Sequence, residues 1–230
     1  MTQEQLNKII EKHQHYLNKD IDGWETMKAD LSYKNLSGLD LSNANLRNAD
    51  LSCANLRKAD LADADLSNAY LRETDLCRAF CCYVNLYKAN LNNANLREAN
   101  LYGANLIEAD LNNADLIDAD LNNACLRYAN LRKACLRYAN LRKADLRKAD
   151  LSEADMYEAD LSEADMYEAD LKEANLLGTN LKNTNTVCAV INEDTKIDYP
   201  IACPKTGSFI GYKKAVFRKI VKLWSWLSKI

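Results

Sequence analysis

Two histidines and eight cysteines are the side chains of this sequence best suited to metal binding, nucleophilic attack or proton transfer. The cysteines lie at 53, 77, 81, 82, 125, 135, 188 and 203, and they do not form the paired ligand clusters that hold zinc. Cys81 and Cys82 are adjacent, which is not the C-x-x-C spacing of redox pairs, so their plainer role is packing. His13 and His15 lie close together near the start of the chain with no cysteine or carboxylate constellation around them, which again favours packing over catalysis. There is no Ser-His-Asp or Cys-His pattern, and only six glycines are available to shape a phosphate-binding loop or pocket. The residues therefore point to a protein that is not an enzyme and carries no metal or cofactor.

The elements that must position these side chains follow from one repeat. From Ala29 to Thr184 the chain repeats Ala-Asp/Asn-Leu-x-x without insertion or deletion, with Leu at every fifth position from Leu31 to Leu181. Only Cys81, Met156 and Met166 replace Leu in that series. A period of five suits neither regular element. On a helix, five residues advance about 500°, which scatters the leucines around every face. In a straight strand, side chains alternate with period two, so successive leucines would point to opposite faces. All the leucines can go inside only if the chain turns about once per repeat, which makes a coil stacked on itself. Each buried Leu contributes about 1.5–3 kcal/mol, so the column can hold a fold that has few aromatics.

This A(D/N)LXX signature resembles that of the pentapeptide-repeat proteins, over about two thirds of the chain. The resemblance implies an all-β solenoid, a right-handed quadrilateral β-helix with four repeats per coil and roughly eight coils. It also implies Leu and Ala inside, with the other positions outside.

The repeat sets four expected segments: a helical cap over 1–28, the β-helix over 29–184, an irregular closing segment over 185–212 and a basic amphipathic helix over 213–230. Thr2 and Gln5 form a capping-box pattern, and Leu6, Ile9, Ile10, His13, Tyr16 and Leu17 recur at helical spacing, predicting a helix over 3–18. Its apolar face can cover the open first coil, with Trp24 packed at the junction. Lys34 and Leu39 stand where Ala is expected, as terminal repeats allow. The strongest irregularity is in the middle, where Phe80 takes an Asp/Asn position, Cys81 a Leu position and Val84 an Ala position. A bulge or groove there would make Phe80, Cys82 and Tyr83 a candidate surface site.

Charge is uneven. The repeats hold 25 acidic and 18 basic residues over 29–183, whereas 201–230 holds seven basic residues and no acidic one. Arg127, Arg132, Lys133, Arg137, Arg142, Lys143, Arg147 and Lys148 form a basic band interleaved with Tyr128 and Tyr138, as nucleic-acid surfaces do. The repeat wraps that band around all sides, however, and an acidic band follows with Glu153, Glu158, Glu163, Glu168 and Glu173. A lag of twenty sets Lys133, Lys143 and Lys148 against Glu153, Glu163 and Glu168; a lag of twenty-five pairs them equally well. Such rings of opposite sign describe a solvated, self-neutralising surface and argue against nucleic acid as partner. Twenty residues also separate Asn92-Asn93 from Asn112-Asn113, so the coil length that the resemblance implies would stack Asn on Asn. Whole ten-residue units are duplicated, as Cys125–Ala134 in Cys135–Ala144, which makes most of this surface generic.

After Thr184 the pattern ends, with a short strand over Val187–Ile191 expected to close the last coil. Cys203 to Lys214 resembles the opening of an uncharacterised module that follows pentapeptide repeats in bacterial and phage relatives. Beyond it, Phe217, Ile220, Trp224 and Leu227 share one side of the amphipathic tail, opposite Arg218, Lys222 and Lys229. That side suits an exit cap, a homodimer contact or a membrane surface. Met1 to Lys19 lacks the apolar run of a signal peptide, so the expected location is the cytoplasm. The leading expectation is a non-enzymatic scaffold whose partner is another protein or a second copy. The resemblance adds an alternative, a DNA mimic that binds gyrase or topoisomerase IV, and the tail adds another, peripheral membrane association.

Overall fold

The computed structural model describes residues 1–198. The chain turns every five residues, and each turn is closed by the Leu carbonyl accepting the N–H of the Ala three residues on, as in Leu46 to Ala49 at 3.0 Å and Leu91 to Ala94 at 2.9 Å. The second of the two turn residues has positive φ throughout, for example Asn93 at 57°, Lys133 at 59° and Glu163 at 63°, while the first does not. That combination defines a type II turn. Non-glycine residues disfavour this conformation by roughly 1–2 kcal/mol each, so ladder bonds and core burial must offset it at almost every corner.

The Asp/Asn position has a specific task at the turn. Its side-chain Oδ1 accepts the N–H of the residue two further on, as in Ser52 to Asp50 at 2.9 Å and Asn112 to Asp110 at 3.1 Å. This Asx arrangement holds the chain as it enters the corner, which explains why short amide and carboxylate side chains recur there. A second bond runs between coils: Asn130 Nδ2 donates to Asp110 Oδ1 at 3.0 Å, and Asn105 Nδ2 to Asn85 Oδ1 at 3.0 Å.

Register is parallel with a shift of twenty residues, from Asp30 against Asp50 to Asp170 against Val190. Four turns per twenty-residue coil make a four-sided solenoid, and the lag of twenty-five is excluded. Three backbone bonds recur on each side: Leu91 N–H to Asp110 O at 2.7 Å, Asn93 N–H to Asn112 O at 3.0 Å and Asp110 N–H to Ala89 O at 3.0 Å. Leu and Ala fill the interior with essentially no exposure, and Thr74, in an Ala position, donates its hydroxyl to Leu51 O at 2.9 Å.

Helix α1 (Gln3–Asn18) closes the first coil. Thr2 Oγ1 accepts from Gln5 N–H and Gln5 Oε1 accepts from Thr2 N–H, so two N-terminal amides are satisfied reciprocally. Leu6 is fully buried on the end of the leucine column, with Ile9 and Ile10 beside it. The exposed edge of the coil is bonded rather than merely covered: the Gln3 amide brackets Asp40, donating to its O at 2.7 Å and accepting from its N–H at 2.9 Å. Trp24, which opens a 3-10 turn at Trp24–Met27, packs against Tyr16 with ring centroids 5.9 Å apart.

At the other end the coil outlasts the sequence pattern. Thr186 and Ile191 occupy the inward central position and are buried, Cys188 takes the turn corner with φ of 61°, and Val190 bridges Asp170. Val187 and Cys188 are thus corner residues and not part of a short strand. The ladder is mostly backbone to backbone, so it continues after the side chains have left the consensus, and at its end the Glu173 N–H donates instead to Asn192 Oδ1 at 2.9 Å. β1 (Asn175–Leu176) pairs in parallel with β2 (Lys196–Ile197), and Thr195 donates to Leu171 O at 3.0 Å. Among the described residues no helix is long and apolar enough to cross a membrane. The amphipathic segment over 213–230 and the stretch from Cys203 to Lys214 lie outside the described residues.

Candidate interaction surface

The break in the repeat produces no bulge. Phe80 bridges Asp60 on one side and Asn100 on the other in unbroken register, and Tyr83 takes the usual corner conformation with φ of 56°. The core absorbs the exchange because the smaller Cys81 and the larger Val84, close together on the inward side, compensate in volume, and both are buried. What changes is the outside. Phe80 and Tyr83 are each 57% exposed, on coils where most outward positions are polar.

Residues 60–63, 80–83, 100–103 and 120–123 stack on one side of the rod, joined by Asp63 N–H to Cys82 O at 3.0 Å and Tyr83 N–H to Tyr102 O at 2.8 Å. The Tyr83 ring lies where position 103 has no side chain: a Cβ on Gly103 would sit 2.6 Å from its Cδ1 and Cε1. Tyr102 meets Tyr83 edge to face, with centroids 5.5 Å apart and planes at 88°. Sequence reasoning found Phe80, Cys82 and Tyr83 but missed Tyr102 and Gly103. The available signal was Gly103 standing one coil length after Tyr83.

Cys82 is half-buried, and burial followed by the charges of Asp120, Asp60 and Asp63 pushes its thiol up. Burial pushes the Cys81 thiol up much further. Both sulfurs are therefore held as thiols, the unreactive form. Among the described residues no group of His, Cys, Asp and Glu is placed to hold a metal ion. His13 is buried under α1, where its Nε2 donates to Arg47 O at 2.9 Å and its Nδ1 accepts from Ala29 N–H at 3.0 Å. Burial lowers its pKa, opposed by the Arg47 bond and supported by the nearby Lys28 charge. The ring is a neutral clasp between helix and coil.

The basic band has a different character. Arg132 reaches Glu153 at 2.6 Å with Lys133 at 3.4 Å, Arg142 reaches Glu163 at 2.7 Å with Lys143 at 3.8 Å, and Lys148 reaches Glu168 at 3.5 Å. The Arg132 guanidinium holds the Glu153 carboxyl below the usual range, and Arg142 does the same for Glu163. Arg137 stacks on Tyr138 and Tyr157, and Lys148 on Tyr128, at 5.1–5.7 Å. These cations are engaged within the rod, which leaves little of the free positive field that a phosphate backbone needs. Phe217, Ile220, Trp224 and Leu227 lie outside the described residues.

The sequence profile of the Pentapeptide repeats family matches residues 27–185 in overlapping segments. Among solved structures, the chain is similar to HetL, a pentapeptide repeat protein involved in heterocyst differentiation regulation from the cyanobacterium Nostoc sp. Strain PCC 7120, at 35% identity over 80% of this chain and 78% of that one, TM-score 0.51. It is also similar to a trypsin-treated form of QnrB1, a plasmid-mediated fluoroquinolone resistance protein, at 16% identity over 82% of this chain and 96% of that one, TM-score 0.69, which is a likeness of fold. The comparison with curated proteins found no match.

Proposed function

The chain belongs to the pentapeptide-repeat family, and from that premise we propose that it is a non-enzymatic scaffold that presents its outer faces to another protein. The observation that carries this reading is the division of labour in the coil: the inward positions are filled by Leu, Ala and their close substitutes, and the variable positions are with few exceptions solvent-accessible. Binding on such a rod is a matter of surface side chains. Capture experiments with the full chain in an extract of its host test the reading, with heat-denatured chain as the control. A defined protein retained by the wild type and lost with the control is expected; the same proteins on both would sink the proposal.

A second reading, a DNA mimic acting on a type II topoisomerase, draws on the acidic excess of the repeats, 25 residues against 18 basic, and on the shared fold with QnrB1. Against it stands the basic band, which interrupts a continuous negative potential. A gyrase supercoiling assay with and without a fluoroquinolone decides it: neither inhibition nor protection removes the mimic. Location in the cytoplasm, right-handed winding and a C-terminal helix that caps, dimerises or meets membrane belong to the same proposal. Failure of the full chain to pellet with anionic liposomes removes the membrane part.

A further inference from the structure

Several tyrosines on the outside of this rod come with a cation of their own, although among the described residues the most exposed, Tyr33, does not. Lys28 sits 5.0 Å from the Tyr70 ring centroid, Lys88 5.1 Å from Tyr87, Lys148 5.5 Å from Tyr128 and Arg137 5.1 Å from Tyr157. Carboxylates in Asp/Asn positions on the adjacent side are matched in the same way, Asp75 by Arg57 at 3.2 Å and Asp115 by Arg97 at 3.3 Å. The break departs on both counts. Among the described residues no Lys or Arg stacks on Phe80, Tyr83 or Tyr102, and none pairs with Asp60, Asp63 or Asp120, whose coils bracket those rings. The Tyr83 ring is held in the notch at Gly103 and braced edge-on by Tyr102, so its face is set before any ligand arrives.

Resting on the scaffold reading above, we propose that this patch is the docking point for a basic segment of a partner protein, with an arginine side chain stacking on the Tyr83 face and its charge met by Asp63 and Asp60. Charge complementarity selects the occupant. An exposed aromatic face next to carboxylates that face no cation among the described residues suits a cation, and a planar guanidinium can stack and bond to carboxylate together, which an ammonium cannot. A purely apolar partner would bury those charges with no cation opposite them. A nucleic acid would meet negative charge on negative charge.

The test uses the full chain with its tyrosines labelled for ring NMR, titrated with Ac-Gly-Arg-Gly-amide and with the citrulline analogue, which keeps the shape and loses the charge. The expected result is a saturable shift of the Tyr83 and Tyr102 signals with the arginine peptide, at least about ten-fold weaker with citrulline. Tyr87 and Tyr128, already supplied with cations, should move little. Tyr83→Phe should retain binding, while Tyr83→Ala and Asp63→Asn should lose most of it with thermal stability unchanged. No saturable shift, or equal shifts with citrulline, would overturn the proposal. So would contacts between the Tyr83 ring and a Lys or Arg of the same chain before peptide is added, which would assign the patch to the chain's own basic segment. A partner captured equally well by Tyr83→Ala would overturn this proposal while leaving the scaffold reading intact.

Discussion

Set the coils around Tyr83 beside those around Lys133 and the backbones are interchangeable while the surfaces are opposites. Tyr83 N–H bonds to Tyr102 O at 2.8 Å and Lys133 N–H to Ser152 O at 3.0 Å, with φ of 56° and 59° at the two corners. Yet Lys133 is engaged by Glu153 on the next coil, whereas among the described residues the Tyr83 ring meets another ring, Tyr102, and no cation. The solenoid thus separates two problems that a globular domain solves together. Ladder bonds and a Leu/Ala interior secure the fold, and two outward positions per repeat are left free to vary.

The sharpest way to break that separation is to put charge where the comparison says nothing may vary. Leu101→Asp places a carboxylate in the fully buried column; a loss of about 4–5 kcal/mol and a melting temperature lower by about 10–20 °C are expected in thermal circular dichroism. A mild effect would contradict an inward column.

The cap at His13 extends the comparison to pH. Its two ring nitrogens are used in the neutral form, as donor to Arg47 O and acceptor from Ala29 N–H, with the Tyr16 ring stacked at 5.3 Å and the Lys28 charge nearby. Because the folded-state pKa lies below the ordinary value, the unfolded chain binds more protons in the window between the two. The stability contribution is therefore complete above the ordinary histidine range and is lost as pH falls through it. Protection of the α1 amides, taken relative to the intrinsic exchange rate at each pH, should fall between neutral pH and pH about 5, while amides near Leu101 keep theirs. The pH dependence should vanish in His13→Gln.

A smaller effect is expected at the Asx position. Asp110→Ala removes the acceptor for Asn112 N–H at 3.1 Å and Asn130 Nδ2 at 3.0 Å, which should lower stability by about 1–2 kcal/mol in denaturant unfolding with the slope unchanged. Smallest of all is Glu163→Ala, which disturbs only the exposed pairs with Arg142 and Lys143. It should leave the melting temperature unresolved from wild type, and salt should erase any residual difference.

Much of this molecule can be read one repeat at a time. A period of five that fits neither helix nor strand forces a turn per repeat, and a Leu series from 31 to 181 forces those turns to face one interior; the Thr2–Gln5 capping box likewise marks the start of α1 within six residues. These are local constraints, written in adjacent residues. Coil length was not local. Charge pairing fits a lag of twenty or twenty-five; the family resemblance implies twenty, and the parallel bridges from Asp30 to Val190 show it. The persistence of the coil through Ile191 was hidden for a related reason: the ladder uses backbone N–H and C=O groups, so it can outlast the side-chain consensus that announces it. The Tyr83 patch is the clearest case. The sequence marks an odd residue at Phe80 and Tyr83, but the ring seated over Gly103, Tyr102 at its edge and the absence, among the described residues, of a neighbouring cation are relations between residues about one coil apart, and they exist only once the coils are stacked.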